Sequence, residues 1–384
     1  MDTTYAATVL VLLVFVASVI SVEAALSAAI IEIVLGVAAA NFLGMHPAPW
    51  MDFIAGFGGI LLTFLAGIEV DQDILRQKLK ESLLIGCSSF LVPCVAAMAF
   101  CYWVAGWSGP ASAIAGCTLS TTSLAVVYAV LVETGLSRTA LGKILMASTF
   151  VTNMCTVIAL SLLFAQWDAR TFLALAACAA VIVAVPRWLP GLFERYRAKV
   201  IEPEIKFVFF LLFAFMSIGV WGRVHAVLPV FVLGVCLSAF FRTHREIQRK
   251  LRMAAFAMIT PFFFIKGGMS VSLPDLAAHW PMLLVLFLLK TGSKFAGVWP
   301  FAKRYAGGHT AYLTLLMSTG LTFGNITAMY GLQAGHITST QFSLLIGTVI
   351  CAAIIPTVIA QQWFSPALSE EEKEELLAQE EESL

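Results

Sequence analysis

Thirteen apolar runs alternate with short polar segments along the chain. Each run is about as long as the roughly 17–25 residues that an α-helix needs to cross a bilayer. The pattern therefore predicts an all-α polytopic membrane protein with thirteen transmembrane helices. The predicted runs lie approximately at 5–21, 27–43, 53–69, 82–106, 112–134, 141–165, 171–190, 204–221, 225–241, 253–270, 276–298, 310–330 and 338–362.

The composition agrees with this prediction. Hydrophobic residues make up 60% of the chain and charged residues 12%, and the mean hydropathy is +0.91. A soluble domain carries about twice that share of charge, and barrel strands alternate in polarity instead of forming long runs. The net charge is zero and by itself says nothing about partners; for a polytopic membrane protein we expect a lipid bilayer and no nucleic acid. The eight cysteines lie within the runs without metal-ligand spacing, and the sequence predicts neither a metal site nor a cofactor.

Basic residues lie mainly on one side of the predicted membrane. Most lysines and arginines follow odd-numbered runs, as in the cluster at 242–252. Because cytoplasmic loops are enriched in basic residues, this distribution places the N-terminus outside and the C-terminus in the cytoplasm. The first run lacks a basic segment before it and is predicted to be retained, not cleaved. The acidic stretch at 366–384 is predicted to be a solvated cytoplasmic tail.

The fifth and twelfth runs are interrupted by hydroxyls, glycines and an amide. Such clusters at mid-membrane depth are typical of interrupted helices, whose free backbone groups need polar partners; small-residue packing between helices is the alternative. The two runs are seven apart, so equivalent elements cross in opposite directions. This predicts an inverted-topology repeat with two interrupted helices that cross at a substrate site. The polar residues are Ser120, Thr121, Thr122 and Ser123 in the fifth run, and Ser318, Thr319, Thr322 and Asn325 in the twelfth.

The sixth run contains Thr152 and Asn153 near its centre. A mid-membrane amide either bonds to a neighbouring helix or lines a functional site. We predict that this pair lies beside the crossing of the interrupted helices. The chain has no Asp or Glu between Glu133 and Asp168, so this run lacks a carboxylate that could bind either a proton or a cation. An Asn side chain has the shape of a protonated Asp but cannot titrate.

Few charged residues lie within the runs. Lys266 and Lys294 are predicted to be buried and to compensate charge at the site, with fixed salt bridges as the alternative. Lys290 precedes Lys294 by one helical turn, so both side chains can face one polar crevice. Glu32, near mid-depth, is predicted to be a helix-packing or gating residue. Glu69, near the cytoplasmic end of the third run, is predicted to act at the mouth as a gating residue or to form a structural salt bridge, in preference to binding the ion.

Seven segments together resemble the monovalent cation:proton antiporters of the Kef and Nap type, which are bacterial sodium–proton antiporters. The resemblance covers nearly the whole chain, and the last segment is the most specific. The segments are EIVLG at 32–36, LAGIEVD at 65–71, STTSLAVVYAVLVETGL at 120–136, ASTFVTN at 147–153, PFFFIKGGMSVSL at 261–273, TGSKFAG at 291–297 and MSTGLTFGNITAMYG at 317–331.

The resemblance implies a transporter, not an enzyme, that exchanges Na⁺ for H⁺ across the bacterial inner membrane by alternating access. It implies a core domain at about 82–165 and 276–362 that moves, elevator-like, against a dimerisation domain in a homodimer. The two-residue ion site of the family falls on Thr152 and Asn153, with the essential carboxylate at the second position. The core lysine of the family falls on Lys294.

Asn153 departs from the family pattern. Either an aspartate was neutralised at this position to mimic its protonated form, or the chain is a natural relative that transports differently; the intact remaining motifs favour the first explanation. Three alternative functions stay open. They are K⁺/H⁺ exchange, a non-transporting receptor or scaffold on an antiporter fold, and the binding of an organic anion by Lys266 and Lys294 at half-helix N-termini.

Overall fold

The computed structural model describes residues 3–24, 27–134, 136, 139–164, 168–196, 202–222 and 225–366. Within these residues, every regular element is a helix. The predicted acidic tail lies outside these residues except for Pro366. The helices are α1 (Thr3–Ala24), α2 (Ala28–Phe42), α3 (Pro49–Ile68), α4 (Gln72–Gln77), α5 (Leu79–Trp103), α6 (Gly109–Ser120), α7 (Leu124–Glu133), α8 (Ala140–Phe164), α9 (Ala169–Tyr196), α10 (Pro203–Gly222), α11 (Val227–Thr243), α12 (Arg245–Ala254), α13 (Thr260–Met269), α14 (Leu273–Ala278), α15 (Trp280–Tyr305), α16 (Thr310–Met317), α17 (Thr322–Gln333) and α18 (Ser339–Trp363).

The all-α prediction is confirmed. Ten helical stretches in the described residues are long and apolar enough to cross a membrane, and two shorter apolar helices, α2 and α11, accompany them. Two of the ten are composite. In one, a π-helical segment, Ala255–Ile259, joins α12 to α13 without a break, and the other, Gly109–Tyr128, runs from α6 into α7 across residues 121–123. α16 and α17 are each shorter than a membrane crossing, because residues 318–321 separate them.

Local sequence signals explain several helix boundaries. α3 begins with Pro49, whose missing backbone N–H costs nothing at a first helical position. Ser108 caps α6 by accepting a hydrogen bond from the backbone N–H of Ala111 at 3.3 Å. Thr338 and Gln341 form a reciprocal capping box at the start of α18. These polar residues satisfy amide groups that a helix start would otherwise leave free.

The chain divides into two compact units. Unit 1 comprises Met1–Gln72 and Val157–Pro274, and unit 2 comprises Asp73–Thr156 and Asp275–Leu384. Each unit is therefore assembled from two separate stretches of sequence, and the division falls within α8 between Thr156 and Val157.

Unit 1 is built on close helix contacts. α13 packs against α2, and α11 packs against α3. A Cβ atom on Gly36 would overlap the backbone carbonyl of Ile265, and one on Gly268 would overlap that of Ile33. These glycines therefore let α2 and α13 approach until their backbones touch. An apolar cluster that includes Leu10, Ala39, Met51, Phe262 and Ile265 fills the space beside them.

Unit 2 packs α15 against α5, and α5 in turn against α6. α17 contacts α6 and α18. An apolar cluster at one end of this unit includes Ile85, Val127, Leu145, Val298 and the fully buried Tyr312. The cluster includes residues of α7 and α16, whereas non-helical residues beside these helices have polar partners.

Candidate functional site

Two interrupted helices meet in unit 2. α6 and α7 are separated by residues 121–123, and α16 and α17 by residues 318–321. The hydroxyl of Thr122 donates to the carbonyl of Met317 at 2.8 Å, and the backbone N–H of Ser123 donates to the carbonyl of Thr319 at 3.0 Å. We call these two interruptions together the half-helix junction. Backbone groups that each helix leaves free are thus satisfied in part by the other interruption.

The extent of the interruptions differs from the sequence-based prediction. Thr322 and Asn325, predicted to lie in the twelfth-run interruption, belong to the first turn of α17. The backbone N–H of Asn325 donates to the carbonyl of Leu321 at 2.9 Å, which is a regular helical bond. Ser120 is likewise the last residue of α6, and its hydroxyl donates to the carbonyl of Cys117 at 2.9 Å. That part of the prediction was wrong because these polar side chains are compatible with the helical hydrogen-bond ladder.

Two fully buried lysines on α15 reach the half-helix junction. Lys290 Nζ donates to the carbonyls of Leu119 at 2.7 Å and Thr121 at 3.1 Å, at the C-terminal end of α6. This end carries the negative partial charge of the helix dipole, so a cation is favourable there. Lys290 therefore compensates the end of α6.

Lys294 contacts only hydroxyl groups. Its Nζ donates to Ser89 Oγ on α5 at 2.7 Å and to Thr122 Oγ1 at 2.9 Å. Because Thr122 also donates to the carbonyl of Met317, this hydroxyl links Lys294 to the end of α16. Neither Lys294 nor Lys290 has a carboxylate within ion-pair distance among the described residues.

α8 presents Thr149, Thr152 and Asn153 on one face, since these positions are three or four residues apart. The Thr149 hydroxyl lies 3.5 Å from Met317 Sδ, at the edge of the half-helix junction. The Thr152 hydroxyl donates to the carbonyl of Gly86 on α5 at 3.1 Å and to its own helix at Ser148. Gly86 and Ser89 are three residues apart on α5, so Thr152 and Lys294 bond to the same stretch of that helix.

Two amide side chains of unit 2 are buried without being fully hydrogen-bonded. Asn153 is 2% exposed and Asn325 is fully buried. Within the described residues, Asn153 Oδ1 has no partner, and neither amide atom of Asn325 has one. A buried polar group without a partner costs about 1–3 kcal/mol, and the described residues of unit 2 contain others, such as the hydroxyls of Thr118 and Ser148. Both amides are suited to coordinating a ligand.

Glycine is required at one position of the half-helix junction. A Cβ atom on Gly320 would come within 2.8 Å of Lys290 Nζ and of both the carbonyl and the hydroxyl oxygen of Thr121. Real Cβ atoms do not approach other heavy atoms this closely. The absence of a side chain at position 320 therefore lets the interruption after α16 lie directly against Lys290 and the interruption after α6.

Three residues from the sequence-based site prediction lie in unit 1. Lys266 on α13 pairs with Asp52 on α3 at 2.6 Å, so it already has a carboxylate partner within that unit. Glu69 follows α3 and pairs with Arg252 at 3.3 Å, in agreement with a structural salt bridge. Glu32 on α2 is 5% exposed. None of the three belongs to the unit that contains Asn153 and Lys294.

Ser89 and Gly86 were missed by the sequence reasoning. Both lie in the fourth run, where Gly86, Ser88 and Ser89 are small residues in an otherwise apolar stretch. That clustering is the only signal in the sequence, and it resembles ordinary helix packing. Lys290 was noticed for its spacing from Lys294, but its bonds to the end of α6 depend on tertiary contacts.

A family described as sodium/hydrogen exchanger, transmembrane, matches residues 7–365 of the chain. The chain belongs to the sodium/hydrogen exchanger family. It is accordingly a multi-pass membrane protein and a cation/proton antiporter of that family, and not an enzyme. The sequence-based recognition of an antiporter family is thereby confirmed.

Individual relatives agree with this assignment. The exchanger is 26% identical over 358 residues to the probable Na⁺/H⁺ antiporter 3 of Methanocaldococcus jannaschii, covering 88% of this chain and 90% of that protein. It is 22% identical over 343 residues to the Na⁺/H⁺-K⁺ antiporter GerN of Bacillus cereus, covering 85% and 86% of the two chains.

A solved structure shares the fold of the exchanger. The sodium proton antiporter MjNhaP1 from Methanocaldococcus jannaschii, determined at pH 8, superposes with a TM-score of 0.67. The match covers 95% of this chain and all of that chain, at 14% sequence identity. At this identity the likeness describes the fold alone.

Proposed function

We propose that this protein is built to exchange Na⁺ for H⁺ by alternating access, with the ion site at the half-helix junction of unit 2. The observation that carries the proposal is the buried, unpartnered Oδ1 of Asn153. Asn153 lies one turn from Thr149, which contacts the end of α16. A group at position 153 is thus close to oxygen ligands of the kind that hard cations prefer. The proposed ligands are Asn153, Thr152, Ser120, Thr121, Thr122, Ser123, Thr322 and Asn325.

The proposed exchange needs a carboxylate at position 153. A carboxylate holds either a proton or a cation, and this competition couples the two fluxes. Asn153 supplies an amide oxygen but no titrating group, so this chain holds the site in an analogue of its protonated form. With Asp at this position the site has one carboxylate, and exchange of one proton per cation is expected as long as Lys294 keeps its proton throughout the cycle.

The charged residues have separate roles in this proposal. Lys294 balances the negative charge of a carboxylate at position 153 when no cation is bound, and it orients the Thr122 hydroxyl. Lys266 keeps its structural pairing with Asp52, and Glu69 stabilises the end of α3 through Arg252. Glu32, buried on α2, contributes to packing in unit 1 or to gating.

The proposed architecture has thirteen crossings with the N-terminus outside and the C-terminus in the cytoplasm of a bacterial inner membrane. Support comes from the ten long helical stretches, the two shorter apolar helices, and the interrupted pair α16 and α17, which together make thirteen. The division of the chain into two compact units supports a transport domain in unit 2 and a dimerisation domain in unit 1. Elevator-type motion within a homodimer follows from this assignment as part of the proposal.

Potassium is the alternative substrate. The relative from Bacillus cereus is named as an antiporter of both Na⁺ and K⁺, and the neutral oxygen ligands of unit 2 do not by themselves select between these ions. A comparison of the two cations is therefore part of the test.

The test is proton movement in proteoliposomes that contain a pH-sensitive dye. The present chain, Asn153→Asp and Asn41→Asp are compared under pulses of Na⁺ or K⁺. Asn41 is a control in unit 1, where its amide bonds to Val37, Val271 and Leu273. We expect only Asn153→Asp to exchange, and the faster cation identifies the substrate. Exchange by the unmodified chain, or by neither form, would contradict the assignment of position 153.

A further inference from the structure

Unit 2 contains a small pocket beside Pro366, which follows α18 by three residues and forms part of the pocket wall. The rest of the wall comes from the turn between α7 and α8, the first residues of α8, the end of α15 and the turn before α16. The pocket has a volume of about 230 Å³. Small-molecule sites usually occupy about 300–1,000 Å³, so this pocket has the size for one or two side chains.

The inner surface of the pocket is mainly apolar, and Leu136, Leu141 and Ile144 line it. The Thr139 hydroxyl, which also lines the pocket, donates to the carbonyl of Leu136 at 2.8 Å and accepts from the backbone N–H of Gly142 at 3.1 Å. This hydroxyl therefore needs no polar ligand. An apolar side chain is the occupant that these contacts favour.

The segments that form the pocket are basic. Residues 133–144 and 300–310 contain four lysines and arginines but one acidic residue. Lys303 and Arg304 are exposed at the end of α15. The guanidinium carbon of Arg304 lies 5.6 Å from the centre of the Tyr305 ring, which lines the pocket, so a positive charge lies at the rim. A partner that carries carboxylates is favoured at such a surface.

Residues 367–384, which we call the acidic segment, continue the chain directly from Pro366. They contain eight glutamates and one lysine, so their net charge is opposite to that of the pocket segments. Leu368 is the first large apolar residue after Pro366. Because consecutive Cα atoms are about 3.8 Å apart, the Cα of Leu368 lies within about 8 Å of the Cα of Pro366 in any conformation. The sequence thus supplies an apolar side chain next to the pocket, and Glu370–Glu372 follow it.

We propose that the acidic segment, instead of being solvated along its whole length, docks on unit 2. The Leu368 side chain fills the pocket, and Glu370–Glu372 pair with Lys303 and Arg304. Tethering favours this arrangement, because a short linker gives an effective local concentration on the order of millimolar.

The position of the pocket connects the docked segment to the candidate site. The pocket lies where the start of α8 meets the end of α15. The same two helices carry Asn153 and Lys294, so a docked segment resists movement of one helix against the other. The docking needs only the pocket and the opposite charges. It does not depend on the proposed exchange and can be measured without transport.

The first test is chemical cross-linking of the purified full chain in detergent. A water-soluble carbodiimide joins a carboxylate to an adjacent amine as an amide, and the carbodiimide takes up the elements of water as a urea. We expect amides between Lys303 and Glu370–Glu372 in peptides from the protein band of monomeric mass, identified by mass spectrometry. The same amides should form in vesicles that contain phosphatidylglycerol.

Other occupants of the pocket would give different results. Cross-links to Lys303 only in the band of dimeric mass would assign the surface to a second copy of the chain. Loss of the cross-link in the phosphatidylglycerol vesicles would assign it to anionic lipid. Either result, or the absence of any such cross-link, would overturn the proposal.

The second test is cleavage of the full chain by a glutamate-specific protease, followed by intact-mass spectrometry. Cleavage needs a released segment, so its rate follows the population of the undocked form. The cleavage ratio is the rate within residues 370–375 divided by the rate within 380–382, which lie outside the proposed contacts. Leu368→Ser and Arg304→Glu are each expected to raise this ratio about tenfold. High salt should also raise it in the unmodified chain, because it screens the charges.

Matched controls separate docking from general effects of polarity and charge. Leu384→Ser makes the same change at the far end of the acidic segment, and Arg249→Glu makes the same charge reversal at an exposed position of α12 in unit 1. Neither control should change the cleavage ratio. Arg304 is exposed, so Arg304→Glu is expected to fold. Equal cleavage ratios in the unmodified chain, Leu368→Ser and Arg304→Glu would overturn the proposal.

Discussion

The buried lysines of the two units have different partners. In unit 1 the buried Lys266 pairs with Asp52, and the partly exposed Arg252 and Arg242 pair with Glu69 and Asp71. In unit 2, Lys290 and Lys294 bond only to carbonyl and hydroxyl oxygens. The lysines of unit 2 are thus held by neutral oxygens beside the half-helix junction, where the ion site is proposed.

The packing of the helices also differs between the two units. In unit 1, α2 and α13 touch backbone to backbone at Gly36 and Gly268, which leaves no room between them. In unit 2, α6 and α16 stop in the interior, and hydroxyl groups replace part of the lost backbone bonding. The backbone contact between α2 and α13 fits the support role proposed for unit 1, whereas the interrupted helices of unit 2 place dipole ends and oxygens at the proposed ion site.

The largest expected effect is on the packing of unit 1. In Gly268→Ala the new Cβ overlaps the backbone carbonyl of Ile33, and Val37 N lies 2.9 Å away. Backbone atoms cannot move aside as a flexible side chain can, so we expect a loss of about 3 kcal/mol or more in the free energy of unfolding. Unfolding in mixed detergent micelles measures it. The control is Gly56→Ala on α3, where nothing lies within 4 Å; equal losses in the two variants would mean that the contact between α2 and α13 is not close.

Valine substitutions at two buried threonines, one in each unit, compare how much a hydroxyl hydrogen bond contributes to the free energy of unfolding. Thr122→Val removes an acceptor from Lys294 and a donor from the carbonyl of Met317, and both groups stay buried. We expect a loss of about 2 kcal/mol in the free energy of unfolding, because each unsatisfied group costs about 1–3 kcal/mol and some repacking is possible.

The control for this substitution is Thr63→Val on α3 of unit 1. Thr63 is equally buried, but its hydroxyl bonds only to the carbonyl of Gly59 one turn earlier. That carbonyl can keep its helical bond, so we expect a change within about 1 kcal/mol. If the two valine variants unfold alike, the half-helix junction depends less on Thr122 than its hydrogen bonds indicate.

The smallest expected effect concerns the ion pair between Glu69 and Arg252. Their side chains are 26% and 43% exposed and lie 3.3 Å apart. A partly exposed pair of this kind contributes about 0.2–1 kcal/mol and is screened by salt. Glu69→Gln should therefore lower the unfolding midpoint slightly at low salt and hardly at all in 1 M salt, where the screening length is about 3 Å. A large, salt-independent loss of transport when Glu69→Gln is combined with Asn153→Asp would instead identify Glu69 as a gating residue.

Much of the fold was predictable because its signals are local. Apolar runs of bilayer length predict helices whatever their neighbours are, and hydroxyls and glycines predicted interruptions where residues 121–123 and 318–321 are non-helical. The ends of the second interruption were not predictable from composition. Thr322 and Asn325 are as polar as the residues before them, yet both lie in the first turn of α17, where the backbone N–H of Asn325 donates to the carbonyl of Leu321.

The partners of the lysines depended on tertiary contacts. Lys266 and Lys294 have similar apolar surroundings in the sequence, and both were predicted to compensate charge at one site. Their surroundings in the fold differ, because Lys266 faces Asp52 on α3 and Lys294 faces Ser89 on α5. The partner of each lysine depends on which helix faces meet in the fold. The hydrophobic periodicity of a single helix does not contain that information.

The most direct test of the ion site is calorimetric titration of Na⁺ into the present chain and into Asn153→Asp, at one pH in two buffers of different ionisation enthalpy. Such a pair of buffers reports the number of protons released on binding. For Asn153→Asp we predict saturable binding with release of up to one proton per Na⁺, because the same carboxylate binds either ion. For the present chain we predict no proton release at any Na⁺ concentration. Proton release on Na⁺ binding to the present chain would show that another group carries the proton and would contradict the assignment of position 153.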